Sequence, residues 1–189
     1  MNITKRYVKN FKSILSSKDF EKKIDQAYNV ILETLKADKK IYICGNGGSA
    51  ANAIHIANDF LLGVIGKFNK KGIKIEALTA NSSVLTCLAN DLSYAKIFSE
   101  QIKTKGSEND LLISLSGSGN SQNIINAIRQ AKKMKIKTLS ILGFKGGKCK
   151  SISDISIHYP IKDMQISEDL QMITLNICMQ RLSKIKFNK

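Results

Sequence analysis

The chain has 189 residues, of which 43% are hydrophobic, so it is long enough and apolar enough to bury one substantial core. No stretch is long and apolar enough to span a bilayer, and residues 1–15 lack the compact apolar region and cleavage site of a secretory signal. The four cysteines include no closely spaced pair, which is typical of reduced thiols. These features predict a single domain over residues 1–189, located in the cytoplasm and without a membrane partner.

The net charge is +15, from 30 basic and 15 acidic residues. Clustered basic side chains would favour nucleic acid, because they displace counterions from phosphates. Here the basic residues are spread along the whole chain without interleaved aromatic residues, and the one dense run is the short segment 132–135. The charge pattern therefore disfavours a nucleic-acid partner and fits an affinity for small anions.

The predicted elements begin with residues 5–37, where apolar positions recur at helical spacing and indicate one or two amphipathic helices in an N-terminal segment, 1–38. Beyond them, strands and helices alternate. The predicted strands cover residues 39–44, 73–78, 110–115, 137–142 and 154–159. The predicted helical segments between and after them include 82–103, 120–133 and 167–186. Strands separated by helices of this length imply parallel crossovers and a three-layer α/β sandwich.

Two of the strand-to-helix junctions are rich in glycine and serine. The first is GNGGS at residues 45–49, after IYIC, and the second is SGSGNS at residues 116–121, after LLISL. Glycines let backbone N–H groups approach an anion, hydroxyls add donors, and a helix N-terminus favours negative charge. The alternative is that the glycines only make tight turns and the serines only cap helices. Because two such junctions occur in one chain, we predict an anion site at the carboxyl edge of the sheet.

Neither junction matches the motifs of nucleotide-binding proteins. A P-loop would end in GK[ST], and a dinucleotide site would show GxGxxG followed by an acidic residue after the next strand. The sequence has neither feature at these positions. Nucleoside triphosphates and dinucleotides are therefore disfavoured as ligands.

Four motifs in order resemble the sugar isomerase (SIS) domain of the phosphoheptose isomerases. They are CGNGGSAANAIH at 44–55, CLAND at 87–91, SGSGNS at 116–121 and a closing helix that contains Gln171. The resemblance implies a flavodoxin-like sandwich around a five-stranded parallel sheet, N-terminal helices for oligomerisation, and a homotetramer whose active sites are completed by neighbouring subunits. It also implies the interconversion of sedoheptulose 7-phosphate and D-glycero-D-manno-heptose 7-phosphate, the first step towards nucleotide-activated heptose for lipopolysaccharide or capsule.

The resemblance also implies which residues bind the substrate. Ser116, Ser118 and Ser121 match the phosphate cradle, and Gln171 matches a substrate contact on the closing helix. The contacts of the first loop to sugar and phosphate match Asn46, Gly47, Gly48 and Ser49. The family's Asn-Asp pair, whose Asp touches the sugar hydroxyls, corresponds to Asn90 and Asp91. Two positions depart from the family: Gly117 stands where it usually has Thr, and an arginine after the first helix has Lys67 as its nearest match.

Aldose-ketose isomerisation moves a proton between adjacent carbons through an enediolate, so it needs a base at carbon and an acid or electrophile at oxygen. The resemblance assigns the base to Asp59, which stands in place of a Glu. The family's second catalytic group is a His on the closing helix, and here that position is Met179. Cys178, beside it, either replaces the lost His or simply packs in the core. His158 falls on a strand and is expected to be tucked in or at the surface.

Some family members bind zinc, and His55, Asp59 and Gln171 match three of their four ligands. Zinc is therefore a candidate cofactor. His55 and Asp59 lie four residues apart and share a helix face, as metal ligands would. An ordinary structural His-Asp pair would have the same spacing.

These residues favour an isomerase of phosphosugars with Asp59 as base. The alternative is a non-catalytic tetrameric SIS protein that binds a sugar phosphate or a protein partner such as a replication initiator, as one bacterial member of the family does. An SIS-type transcription regulator is disfavoured, because residues 1–38 are too short for a DNA-binding domain.

Overall fold

The computed structural model describes residues 2–62 and 72–185. Its five strands pair in parallel in the order β2-β1-β3-β4-β5. They are β1 (Ile41–Cys44), β2 (Ile75–Ala77), β3 (Leu111–Ser116), β4 (Lys137–Leu142) and β5 (Ile155–His158). The prediction of an α/β fold with a five-stranded parallel sheet is confirmed.

Helices cover both faces of the sheet and make the fold a three-layer sandwich. They are α1 (Ile3–Leu15), α2 (Phe20–Lys36), α3 (Gly48–Leu62), α4 (Ser82–Asp91), α5 (Ser99–Lys105), α6 (Gln122–Lys133), α7 (Gly147–Ile152) and α8 (Met164–Leu182). One layer is built mainly from α2, α3 and α8, and the other from α4 to α7. None of the described helices is both long and apolar enough to cross a membrane.

Alternation along the strands explains why both faces are covered. In β1, Ile41 and Ile43 pack into the core beneath α2, α3 and α8, whereas Tyr42 and Cys44 pack into the core beneath α4 to α7. Every residue of β1 and of the central strand β3 is buried. Parallel sheets are normally buried on both faces in this way, so their strands are apolar at successive positions.

The predicted helical segment 82–103 is broken in the structure. Helix α4 ends at Asp91, Ser93 has an extended backbone, and a short 3₁₀ turn at Tyr94–Lys96 precedes α5. An extended residue cannot continue the helical hydrogen-bond ladder, so the chain changes direction there. This break carries Tyr94 towards the end of β1.

The strand order places the two glycine-rich junctions side by side. Strands β1 and β3 are neighbours in the sheet, while the chain proceeds from β1 outward to β2 before it returns to β3. In open α/β sheets, ligands bind in the crevice outside the carboxyl ends of the strands where the order reverses. The first junction, residues 45–49, follows β1, and the second, residues 116–121, begins at the last residue of β3. Both junctions therefore lie at that point.

Candidate active site

The first loop joins β1 to α3 and is fixed by buried hydrogen bonds. Gly47 has φ 55°, a left-handed conformation that glycine adopts without strain. Ser49 is buried in the first turn of α3, and its hydroxyl accepts a hydrogen bond from Nε2 of Gln171 at 3.1 Å. Ser49 therefore links this loop to α8.

Asn46 ties the first loop to two other elements. Its side-chain amide pairs reciprocally with that of Asn123 on α6, with N···O distances of 2.9 and 2.8 Å. The Tyr94 hydroxyl donates to the same Asn46 oxygen at 3.0 Å. The predicted sugar contact Asn46 thus holds the β1 loop against the start of α6, which is where the second loop ends.

The second loop, residues 116–121, presents hydroxyl groups that keep a proton to donate. The Oγ of Ser116 accepts from the backbone N–H of Gly119 at 3.0 Å, and the Oγ of Ser118 accepts from that of Asn120 at 3.2 Å. A hydroxyl that accepts one bond can still donate one to an anion. Ser121 stands at the N-cap of α6 in an extended conformation, and its side chain makes no capping hydrogen bond.

The two helix starts differ in the charge that lies against them. A Cβ at Gly48, the first residue of α3, would clash with the carboxylate of Glu168 on α8, so a protein anion already occupies that helix start. Helix α6 has no acidic residue in its first turn. Because a helix N-terminus attracts negative charge, the start of α6 is the one that has its positive end available for a ligand.

Asn52 on α3 holds α8 against the start of α3. Its Nδ2 donates to the backbone carbonyl of Glu168 at 3.0 Å and to Oε1 of Gln171 at 3.1 Å. Both polar groups of the buried Gln171 amide are therefore engaged, with Asn52 and with Ser49. Gln171 lies at the site but acts within the protein as a brace between α3 and α8.

His55 and Asp59 form a pair on α3. The distance between Nε2 of His55 and Oδ2 of Asp59 is 3.1 Å, and the two side chains are 54% and 28% exposed. With Asn52 they follow a spacing of three and four residues, so all three lie on the helix face that meets Gln171. Asp59 follows Ser49 by ten residues, which is about 15 Å along the axis of α3, and its ion-pair partner is His55.

The residues predicted as zinc ligands do not fit a zinc site. Zinc takes four ligands in tetrahedral geometry, and a catalytic site keeps three from the protein. Across residues 2–62 and 72–185, no three His, Cys, Asp or Glu side chains are grouped to hold a metal ion. The third predicted ligand, Gln171, already has its oxygen bonded to Asn52. His55 and Asp59 therefore match the alternative of an ordinary His-Asp pair.

Asn90 and Asp91 lie at the exposed end of α4. Nδ2 of Asn90 donates to Oδ1 of Asp91 at 2.8 Å, and Cys87 Sγ donates to Oδ2 at 3.4 Å. The hydrogen bond from Asn90, followed by that from Cys87, holds the pKa of Asp91 below its ordinary value. Asp91 is therefore an ionised acceptor suited to sugar hydroxyls, although its hydrogen bonds join it to α4 and not to the two loops.

The closing helix contributes no replacement for the missing histidine at 178 or 179. Cys178 is buried, its thiol donates to the Ile24 carbonyl of α2 at 3.9 Å, and burial raises its pKa to about 12. Met179 packs against the apolar core. Of the two interpretations of Cys178, packing is the one that the structure supports. Lys67 lies outside the described residues.

Four side chains of the site were not predicted from the sequence, namely Asn52, Tyr94, Asn123 and Glu168. For two of them, the sequence contains a feature that could have indicated their role. Asn52 and Asn123 are amides in the opening turns of the helices that follow the two glycine-rich loops. Such polar side chains beside a loop are typical of loop bracing.

Comparison with known proteins identifies the family. The family model described as SIS domain matches residues 6–143. A phosphoheptose isomerase of Helicobacter pylori is 37% identical over 169 residues, covering 88% of this chain and 87% of that one. This chain belongs to the phosphoheptose isomerase family. A second member, from Clostridium acetobutylicum, is 39% identical over 168 residues, covering 87% and 84% of the two chains.

Solved structures agree with this assignment. A phosphoheptose isomerase from Neisseria gonorrhoeae superimposes with a TM-score of 0.83 at 27% identity, over 95% of this chain and 92% of that one. Another, from Francisella tularensis, gives a TM-score of 0.89 over 96% and 95% of the chains, and at 21% identity it supports the fold alone. The family resemblance and the SIS fold predicted from the sequence are confirmed.

Proposed function

We propose that this chain is an isomerase of phosphosugars that interconverts sedoheptulose 7-phosphate and D-glycero-D-manno-heptose 7-phosphate, supplying heptose for lipopolysaccharide or capsule. One observation carries the proposal: in a member of the phosphoheptose isomerase family, both glycine-rich loops meet at the point where the strand order reverses. Relatives with this name match over most of their length. The non-catalytic alternative is not favoured by these relatives.

The phosphate binds, in this proposal, at the second loop. Ser118 and Ser121 supply hydroxyl donors, Ser116 shapes the turn, and the start of α6 supplies a positive dipole end with no acidic side chain in its first turn. The carboxylate of Glu168 on α8 lies against the start of α3 and would repel a phosphate at the first loop. The sugar then lies along the first loop, at residues 46–49, towards Asn90, Asp91 and Gln171.

Asp59 acts as the base that removes the proton from the carbon beside the carbonyl group. This proton passes to the neighbouring carbon through the enediolate, while the hydroxyl proton of the first carbon passes to the former carbonyl oxygen, which converts ketose to aldose. His55, 3.1 Å from the carboxylate, orients Asp59 on the face of α3 that meets α8. Glu168 supplies a second carboxyl group at the first loop.

The test is to incubate the purified chain with sedoheptulose 7-phosphate and to follow the aldose phosphate by NMR. We expect turnover that falls by about 10²–10⁴-fold in Asp59→Asn, the usual contribution of a general base, with substrate affinity kept. The matched control is Glu108→Gln, which removes the charge of an exposed carboxylate paired with Lys135 and leaves turnover unchanged.

Each contrary outcome has a distinct meaning. Full residual turnover in Asp59→Asn would show that the base is another group. Binding of sedoheptulose 7-phosphate without any turnover by the wild-type chain would replace the isomerase with the sugar-phosphate-binding SIS protein.

The proposal includes the wider setting of the enzyme. Residues 1–189 form one SIS domain that assembles as a homotetramer in the cytoplasm, with the N-terminal helices in the subunit contacts. Large apolar side chains are exposed on α1 and α3, where such contacts would cover them: Ile3, Val8, Ile54 and Leu61.

A further inference from the structure

Another loop packs directly against the second loop, residues 116–121, and fixes its shape. We call residues 143–149, which run from the end of β4 into the first turn of α7, the supporting loop. Its Gly143 N–H donates to the Gly117 carbonyl at 3.1 Å, and its Cys149 N–H donates to the Gly119 carbonyl at 2.9 Å. A Cβ at Gly119 would clash with the Gly146 carbonyl, so the two backbones are in direct contact. The positions of the second-loop residues therefore depend on the supporting loop.

The supporting loop has a backbone conformation that must be held in place. Phe144, Gly146 and Gly147 all have left-handed φ angles, of 42°, 79° and 52°. For Phe144, which has a Cβ, this conformation costs roughly 1–2 kcal/mol. Two hydrogen bonds hold it: its N–H donates to the Ile161 carbonyl, and its carbonyl accepts from Nε2 of His158, both at 3.0 Å.

His158 donates this bond from Nε2, while its other ring nitrogen faces a lysine. It stands at the end of β5 and is half-buried, with Nδ1 lying 3.2 Å from Nζ of Lys150 on α7. A lysine ammonium group can only donate, so Nδ1 must accept. Nε2 then carries the proton and donates to the Phe144 carbonyl. The neutral Nε2–H tautomer is the form that satisfies both neighbours.

We propose that His158 is a positioning residue for phosphate binding: by holding the Phe144 carbonyl, it keeps the supporting loop, and through it Ser118 and Ser121, in the geometry that receives the phosphate. The role rests on the proposed function, because it takes the second loop as the phosphate site. It gives the second of the chain's two histidines a function that neither the base nor the sugar contacts require.

The same geometry makes the positioning depend on pH. Burial is the main cause that lowers the pKa of His158 below its ordinary value, and the positive charges of Lys150 on α7 and Lys23 on α2 lower it further. Backbone hydrogen bonds at Phe144 and Gly143 oppose these effects. Protonation keeps the Nε2–H bond to the Phe144 carbonyl, but it adds an N–H at Nδ1, where Lys150 needs an acceptor. Two cations then lie side by side, and their repulsion would displace the ring that holds the carbonyl. Phosphate affinity should therefore be complete above the pKa of His158 and fall as the pH drops through it.

The test compares two variants at His158. His158→Phe keeps a ring of similar size and loses both nitrogen atoms, whereas His158→Gln keeps a side-chain N–H that can reach the Phe144 carbonyl. We would measure the Kd of sedoheptulose 7-phosphate by calorimetry, KM and kcat by NMR, and the thermal midpoint of each protein. Removal of one hydrogen bond predicts a rise in Kd and KM of about three- to tenfold in His158→Phe, with kcat nearly unchanged and recovery in His158→Gln.

A pH series separates positioning from a general loss of stability. The second ionisation of the substrate phosphate also changes affinity near pH 6. That change is common to all variants, so the acid-side loss of affinity should be steeper in the wild-type chain than in His158→Gln. An unchanged Kd in a folded His158→Phe would overturn the positioning role while leaving the isomerase intact, and equal pH profiles would overturn its dependence on pH. A wild-type chain that binds no sugar phosphate would overturn both proposals.

Discussion

The serine side chains of the second loop differ in what they already bind. Ser116 is buried and accepts from Gly119, whereas Ser121 has no capping bond and Ser118 is partly exposed. A phosphate therefore meets Ser118 and Ser121 as free donors and meets Ser116 as part of the turn. The hydroxyl groups of Ser118 and Ser121 therefore account for phosphate affinity, and the turn at Ser116 sets their positions.

The double variant Ser118→Ala with Ser121→Ala tests this division. Each lost hydrogen bond to a charged group should weaken sedoheptulose 7-phosphate binding by about 1.5–3 kcal/mol, measured by calorimetry. Ser13→Ala, an exposed hydroxyl deletion on α1, is the control and should bind normally. Unchanged affinity in the double variant would remove the phosphate from this loop.

Asn46 and Asn123 form the amide pair that joins the two loops. Truncating either residue leaves partly buried amide groups of its partner unsatisfied, which costs about 1–3 kcal/mol of unfolding free energy. Removing both leaves no orphaned amide, so the double variant should be less destabilised than the sum of the two single Ala variants. Urea unfolding of the four proteins measures this coupling, and additive losses would show that the pair has no mutual dependence.

At the scale of elements, strongly patterned segments could be predicted from the sequence. Strand β4 runs over 137–142 as predicted, because five of its six residues are buried in succession. Helix α8 begins at Met164, earlier than predicted, because the Asp163 side chain caps it by accepting from the Ile166 N–H at 3.2 Å. Asp163 can be recognised in the sequence as a possible N-cap, but neighbouring polar residues are equally possible N-caps, so the first residue of the helix is not determined.

The candidate site could be predicted only in part, for a related reason. The two loops are local patterns of glycine and serine, so they are visible in the sequence. The Asn46–Asn123 pair joins residues 77 positions apart, and the pair between Gln171 and Ser49 spans 122. No local spacing encodes such contacts, because they depend on which strands become neighbours in the sheet.

Two glycines of the second loop should respond differently to substitution. Gly119→Ala places a Cβ on the Gly146 backbone carbonyl at a residue with φ 68°, a conformation that alone costs about 1–2 kcal/mol. Gly117→Ala meets the far end of the Met164 side chain, which is exposed enough to move aside. We expect Gly119→Ala to lower both the unfolding free energy and sugar-phosphate affinity, and Gly117→Ala to change neither strongly. Equal effects would mean that the supporting loop does not constrain Gly119.

At the scale of the whole molecule, the charge of +15 matters through small anions. Among the described residues, many lysines are paired with carboxylates, for example Lys40 and Lys105 with Glu76, each at 2.6 Å. Exposed pairs of this kind contribute little to stability. The excess positive charge instead provides a general field that attracts sugar phosphates towards the enzyme.

Assembly is the property of the whole molecule that most needs a direct measurement. Helix α1 has no buried residue, and its Ile3 and Val8 are 74% and 58% exposed. We expect light scattering to give four times the chain mass of 20.9 kDa, and Ile3→Asp with Val8→Asp to reduce that mass without unfolding the subunit. Lys9→Asp, on the same helix, controls for the change in charge and should keep the assembly. Large apolar side chains that are exposed in the single chain often mark a surface that a partner covers. A monomeric wild-type chain would therefore contradict the tetramer and leave the exposed side chains of α1 unexplained.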